Sequence, residues 1–359
     1  MFKVFFFRLF AIASLCGLAA FSIHIVAQAP ADSPKVVVDA DGTVHVPAHA
    51  IPPSEFLTPE AKVYVADHLA AMQHPETVKQ ENGVPGFMKA MLDRDHAIFA
   101  LDKEDVRIGG VHVYVYKPKA GIAVKNKSRV LINLHGGGFS GCWPGCAELE
   151  SMPISSLMGV EVVSVDYREG PEYKFPAASE DVAAVYRELL KSYKPERIGI
   201  YGCSAGGMLT SMSVAWFQTH GLPRPGAIGI YCASAGSFGG DANSFAMPAG
   251  EARAPGGFGA GVQRLGYFSN ADPKDPMVSP IGSPEVLAKF PPTLIITGTR
   301  DFAFSGALYT DTQLTKLGVD SELHVWEGLF HGFFYNADIP ESKDAFNVMI
   351  RFFDKHLGK

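Results

Sequence analysis

RIGIYGCSAGGMLTSMSVAWFQTH, residues 197–220, runs from a short apolar stretch, through a turn with glycine at 202 and 206, into a helical pattern that begins around Ala205. A Gly-x-Ser-x-Gly between a strand and a helix is a nucleophile elbow. Its glycines permit a turn sharp enough to hold the hydroxyl of Ser204 up at the sheet edge. The new helix also turns its positive end toward that point, which favours developing negative charge. A second small-residue cluster, Ala233-Ser234-Ala235-Gly236, lacks a glycine two places before its serine.

Reading outward from the elbow, short apolar runs alternate with helical ones. RVLINLHG (129–136), VEVVSVDYR (160–168), AIGIYCA (227–233), PTLIITG (292–298) and ELHVWEG (322–328) are strand candidates. Helical spacing appears at roughly 147–158, 178–192, 205–219, 304–317 and 341–356. Apolar strands separated by helices predict a mostly parallel sheet covered on both faces. VRIGGVHVYVYKP (106–118) alternates apolar and polar residues and predicts antiparallel edge strands. Before it, residues 58–100 carry apolar residues at helical spacing and predict two helices. Residues 234–285 form a long Gly- and Ala-rich connection between strands, a length typical of lids.

Ligand sites on such sheets lie in the loops after the carboxyl ends of the strands, and each remaining motif occupies that position. His135-Gly136-Gly137-Gly138-Phe139 follows VLINL. Consecutive glycines let backbone N–H groups approach a substrate carbonyl, so Gly137 and Gly138, with the N–H of Ala205, are candidate oxyanion donors. His135 reads as a structural residue of that loop. Asp301 follows PTLIITG and His331 follows ELHVWEG. A serine hydroxyl needs an imidazole to take its proton, and the imidazole needs a carboxylate to hold its tautomer. Asp275, in DPMVSP, is a competing acid, but no strand immediately precedes it, so it reads as a turn residue.

With HGGGF, VDYREGPEYKFPAA, GCSAGG and the loops carrying Asp301 and His331, the chain from about Val106 onward resembles the hormone-sensitive-lipase-like bacterial esterases of the α/β-hydrolase superfamily. The resemblance implies an eight-stranded sheet, an N-terminal helical cap over the acyl pocket, no metal or organic cofactor, and hydrolysis of short- to medium-chain esters. Carried onto this chain, it implies a triad of Ser204, Asp301 and His331, with Gly137, Gly138 and Ala205 binding the oxyanion. Two departures stand out. Cys203 occupies the place before the nucleophile where the family usually has an acid, and Glu169 and Gly170 stand where Leu and Ala are common. Lactone or amide cleavage by the same triad remains an alternative, as does a non-catalytic receptor on the same scaffold.

The 359 residues divide into 1–29 as a signal peptide, 30–104 as an arm and helical cap, and 105–359 as a catalytic domain. The opening segment places Lys3 and Arg8 before an apolar run that ends in small residues, so export to the periplasm or medium is expected. Contact with a membrane is expected only if that segment stays uncleaved. The formal charge of −6 and the lack of a Lys/Arg stripe argue against nucleic acid as a partner, and the resemblance implies a small-molecule ester as the substrate. A homodimer is left open. Cys142 and Cys146 could pair across GCWPGC in an oxidising compartment, or all four later cysteines could be buried thiols. Phe139, Phe330, Phe333 and Phe334 either line an apolar pocket or belong to the core.

Overall fold

The computed structural model describes residues 35–236, 238–254 and 266–358. The expected signal segment lies outside them. The described residues up to Ile51 belong to a separate unit and include a small antiparallel hairpin pairing Val37–Val38 with Val44–His45.

From Pro52 onward the chain builds an eight-stranded sheet. Its strands are β1 (Leu101–Ile108), β2 (Val111–Pro118), β3 (Val130–Leu134), β4 (Glu161–Val165), β5 (Ile198–Cys203), β6 (Ala227–Tyr231), β7 (Thr293–Gly298) and β8 (Ser321–Trp326). They lie in the order β8-β7-β6-β5-β3-β4-β2-β1. β1, β2 and β4 pair antiparallel, and the remaining pairs are parallel. This is the mostly parallel sheet expected from the alternation of strands and helices. β1 begins at Leu101, earlier than its sequence pattern suggests, because the edge strand exposes the charged run DKEDVR and so carries little apolar alternation.

β3 and β5 to β7 are buried along their whole length, as continuous apolar strands between two helical layers must be. Period-two alternation sends Ile132, Val163, Ile200 and Ile295 to one face, where they meet α4 (Ala177–Leu189), α5 (Ala205–Thr219) and α7 (Phe304–Lys316). Leu131, Val162, Tyr201 and Ile296 point the other way, toward α3 (Gly145–Met158) and α8 (Pro340–His356).

The N-terminal helices are α1 (Pro59–Met72) and α2 (Lys89–Ile98). Thr58 caps α1 by accepting the N–H of Ala61 at 3.2 Å, and Pro59 fits the first helical position because its missing N–H would have no partner there. The same Thr58 donates its N–H (2.9 Å) and hydroxyl (3.0 Å) to Glu341 at the start of α8, which ties the start of α1 to the sheet layer. Between α1 and α2 a small hairpin pairs Gln80–Glu81 with Val84–Pro85. In the 234–285 connection, α6 (Asn243–Glu251) is followed by residues 255–265, outside the description, and then by buried Tyr267 and Phe268.

Candidate active site

The elbow is built by a close approach of backbone to backbone. Ser204 sits at φ 57° and ψ −121°, a conformation side-chain-bearing residues rarely adopt, and its N–H donates to Tyr231 O at 2.8 Å. A Cβ on Gly206 would lie 1.7 Å from the carbonyl oxygen of Leu134, and one on Gly202 would lie 2.1 Å from the same atom. Only glycine at both places lets β5 turn into α5 while pressed against the end of β3. The turn therefore sets Ser204 beside the loop that leaves β3.

That loop carries the glycine run. Gly137 and Gly138 have φ of +125° and +66°, and a Cβ on Gly137 would meet Gly141 O at 1.9 Å. His135 is fully buried, donates from Nδ1 to Gly136 O at 2.7 Å and stacks on Tyr167. Burial pushes it down to about 4, so it stays neutral and structural, as the sequence reading holds. The loop is fastened from outside by a disulfide between Cys142 and Cys146, and Gln80 accepts the N–H of Cys142 at 2.9 Å. Cys203 and Cys232 remain buried thiols.

Asp301 and His331 are brought together from the ends of β7 and β8. The imidazole donates from Nδ1 to Asp301 Oδ1 at 2.8 Å, which leaves Nε2 as the basic nitrogen. Asp301 is fully buried and also accepts from Thr297 Oγ1 (2.9 Å) and Ala303 N (2.8 Å). Burial acts to raise its pKa, but the His331 charge and these hydrogen bonds prevail and hold it below the ordinary carboxylate value. For His331 burial acts to lower the pKa, yet the Asp301 carboxylate outweighs it and the imidazole is held above 6.5. Cys232 Sγ accepts the N–H of Gly332 at 3.2 Å and lies within 4.8 Å of ligand atoms of both Asp301 and His331. Burial keeps that thiol protonated, and the Asp301 oxygens are already engaged, so the trio suits proton handling better than metal ligation.

Ser204, His331, Gly137 and Gly138 line one cavity of about 550 Å3. Ala205 adjoins it as the first residue of α5, where first-turn amides have no acceptor within the helix. The Ser204 hydroxyl makes no hydrogen bond to the imidazole among the described residues, an open arrangement common before substrate arrives. Met72, Val78, Pro85, Phe87 and Met88 of the N-terminal segment form one wall. The aromatic rings lining the cavity besides His331 are Phe87, Phe238, Phe302 and Tyr335, whereas Phe139, Phe333 and Phe334 belong to the core. Phe330, also buried, borders a side pocket of about 80 Å3.

Two acids at this site were not singled out from the sequence. Glu150, on α3, is buried and accepts four hydrogen bonds from the site's scaffold; burial pushes it up to about 7. Glu251, the last residue of α6, faces the cavity with its carboxylate 3.8 Å from His68 Nε2, and burial likewise pushes it up to about 7. Both look like ordinary helix acids in the sequence, and only a mismatch between charge and an otherwise apolar helix face signals either. Glu169, one of the noted departures, packs 3.8 Å from His135 Nε2, with burial raising it to about 8. The competing acid Asp275 accepts the N–H of Met277 in a turn, and Ser234 lines a different cavity.

A family model described as alpha/beta hydrolase fold matches residues 131–335. The chain belongs to this family. An acetyl-hydrolase of Streptomyces hygroscopicus is 27% identical over 246 residues, covering 66% of this chain and 78% of that one. An esterase of Acinetobacter venetianus is 24% identical and covers 75% of this chain and 88% of its own length. Among solved structures, esterase E25 superposes with a TM-score of 0.75 at 27% identity, over 87% of this chain and 98% of that one. An esterase of the bacterial hormone-sensitive lipase family shares the fold at a TM-score of 0.70 and 24% identity. The resemblance drawn from the motifs thus agrees with what the whole chain is similar to.

The elbow contact gives a stability test. Gly206→Ala is expected to lower unfolding free energy by about 3 kcal/mol through overpacking against Leu134 O, read as a lower urea midpoint at unchanged slope.

Proposed function

We propose that this α/β-hydrolase is a carboxylesterase that works through an acyl-enzyme on Ser204. The observation that carries the reading is the short hydrogen bond from His331 to fully buried Asp301, in a ring that shares its cavity with Ser204 and two glycine amides. His331 Nε2 takes the Ser204 proton as the oxygen attacks the ester carbonyl. The tetrahedral oxyanion is held by the N–H groups of Gly137, Gly138 and Ala205. Collapse expels the alcohol, which receives the proton from His331. Water then enters, is deprotonated by the same nitrogen and releases the acid, restoring Ser204. The relative named esterase supports ester substrates. Retention of a paired His331 favours turnover over a receptor role.

The cavity volume lies within the usual range of small-molecule sites, and its apolar wall of Met72, Phe87, Met88 and Phe302 suits a short or medium acyl chain. Hydrolysis of p-nitrophenyl esters is therefore expected to peak between acetate and octanoate and to fall toward palmitate. Ser204→Ala is expected to remove this activity while leaving the melting curve unchanged, and turnover retained in a pure sample of the variant would reject the nucleophile.

The raised His331 pKa sets the acid limb. The ring must be neutral to accept a proton, so activity is lost as pH falls through its folded-state pKa. The acid-side midpoint of kcat/KM is expected above 6.5. An acid limb centred well below that value would show that Asp301 does not hold the imidazole as described.

We further propose that the protein is exported, on two supports: the signal-like layout of residues 1–29 and the Cys142–Cys146 disulfide, a bond that persists in oxidising compartments. Fractionation should find the mature chain outside the cytoplasm and shortened at its N-terminus. Full-length protein confined to the cytoplasm would contradict this.

A further inference from the structure

Cys203 offers no carboxylate at the elbow, and a buried carboxylate reaches the same spot from elsewhere. Glu150 projects from α3 and is 3% exposed. Its Oε1 accepts the N–H of Gly136 at 2.8 Å and the hydroxyl of Tyr335 at 2.8 Å. Its Oε2 accepts from Asn133 Nδ2 at 2.8 Å and from the N–H of Cys203 at 3.2 Å. Each of these donors belongs to a different part of the site. Gly136 immediately precedes the oxyanion glycines, Cys203 immediately precedes the nucleophile, and Tyr335 lies in the turn that follows His331. Asn133 is held in place from the other side, since its Oδ1 accepts the Ser164 hydroxyl at 2.7 Å.

We infer that Glu150 is the positioning residue of this active site, one carboxylate that sets the relative placement of the oxyanion loop, the nucleophile elbow and the His331 loop. It touches no reacting atom. Its effect is on the distance between the Ser204 oxygen and the amides that must meet the oxyanion, so it acts on the transition state far more than on substrate binding. The proposal rests on the reading of Ser204 as the nucleophile.

The chemistry of the four donors makes the test sharp. All four present hydrogens, so the site requires an acceptor-only group, which an ionised carboxylate is and an amide is not. In Glu150→Gln, an Nε2 placed where Oε2 stands confronts the Asn133 amide and strips the Cys203 N–H of its acceptor. In the opposite orientation Tyr335 can rotate its hydroxyl to accept, but the Gly136 N–H is left without a partner. Either way one of the two catalytic loops loses its anchor.

Glu150→Gln is expected to lower kcat by about a hundredfold or more, with KM within about threefold of wild type. Affinity for a trifluoromethyl ketone, which mimics the tetrahedral state, should fall in step with kcat/KM. Hydrogen exchange at the Gly136 or Cys203 amide should accelerate, a readout that does not depend on turnover and so separates failure of this inference from failure of the esterase reading. Tyr335→Phe, which leaves both backbone anchors in place, should lose no more than about tenfold in kcat.

Two further variants decide between positioning and mere stability. Val182→Ala, a core change in α4 away from the site, serves as a destabilised control whose kcat per folded molecule should match wild type. Glu150→Asp keeps the charge but shortens the reach; should the amide variant not fold, it carries the test, with an expected kcat loss of about tenfold at unchanged KM. A kcat within about threefold of wild type in either soluble Glu150 variant, or a loss matched by KM or by the folded fraction, overturns the inference.

Discussion

The active site depends on one contact in which side chains take no part. The carbonyl oxygen of Leu134, at the end of β3, lies where the Cβ of residue 206 would be, and almost where that of residue 202 would be. Because β3 and β5 are neighbours in the sheet, this contact places the elbow and the glycine loop at the same level and side by side. The strained φ at Ser204 is tolerated because the surrounding backbone leaves the chain no other course. Ser204 and the backbone of Gly137 and Gly138 are thereby set at one cavity.

Electrostatics then divide the buried carboxyl groups into two kinds. Asp301 is kept ionised by an imidazole partner and two further donors, although it is wholly removed from solvent. Glu150, Glu169 and Glu251 form no hydrogen-bonded pair with a cation among the described residues, and burial raises all three. The difference lies in the partner: positive charge on His331 is what stabilises the buried Asp301 carboxylate. It also shows why hydrogen-bond donors matter so much at Glu150, where they alone oppose the cost of burial.

The cavity is shaped by parts of the chain far from the motifs. The wall formed by residues 72 to 88 is carried on short helices and a two-residue-strand hairpin, held to the sheet layer by contacts such as Thr58 to Glu341. Gln80 and the Cys142–Cys146 disulfide brace the glycine loop from the same side. The N-terminal wall and the loop that holds Gly137 and Gly138 therefore share a border.

Much of this was legible from local pattern. Continuous apolar runs marked the buried strands, helical spacing marked α1 to α5, α7 and α8, and strand-end placement singled out residues that the fold brings together, with Ser204, His331, Gly137 and Gly138 at one cavity and Asp301 bonded to His331, because turn chemistry and side-chain period are properties of a few adjacent residues. Sequence alone left the pairing of Cys142 with Cys146 open, assigned Phe139, Phe333 and Phe334 to no definite place, and treated Glu150 and Glu251 as ordinary helix acids. Those matters turn on which distant segments meet. That is decided by strand order and helix packing, for which a residue's neighbours in the chain carry little information; Glu150 is an acid on a helix in the sequence and the hub of three loops only in the folded sheet.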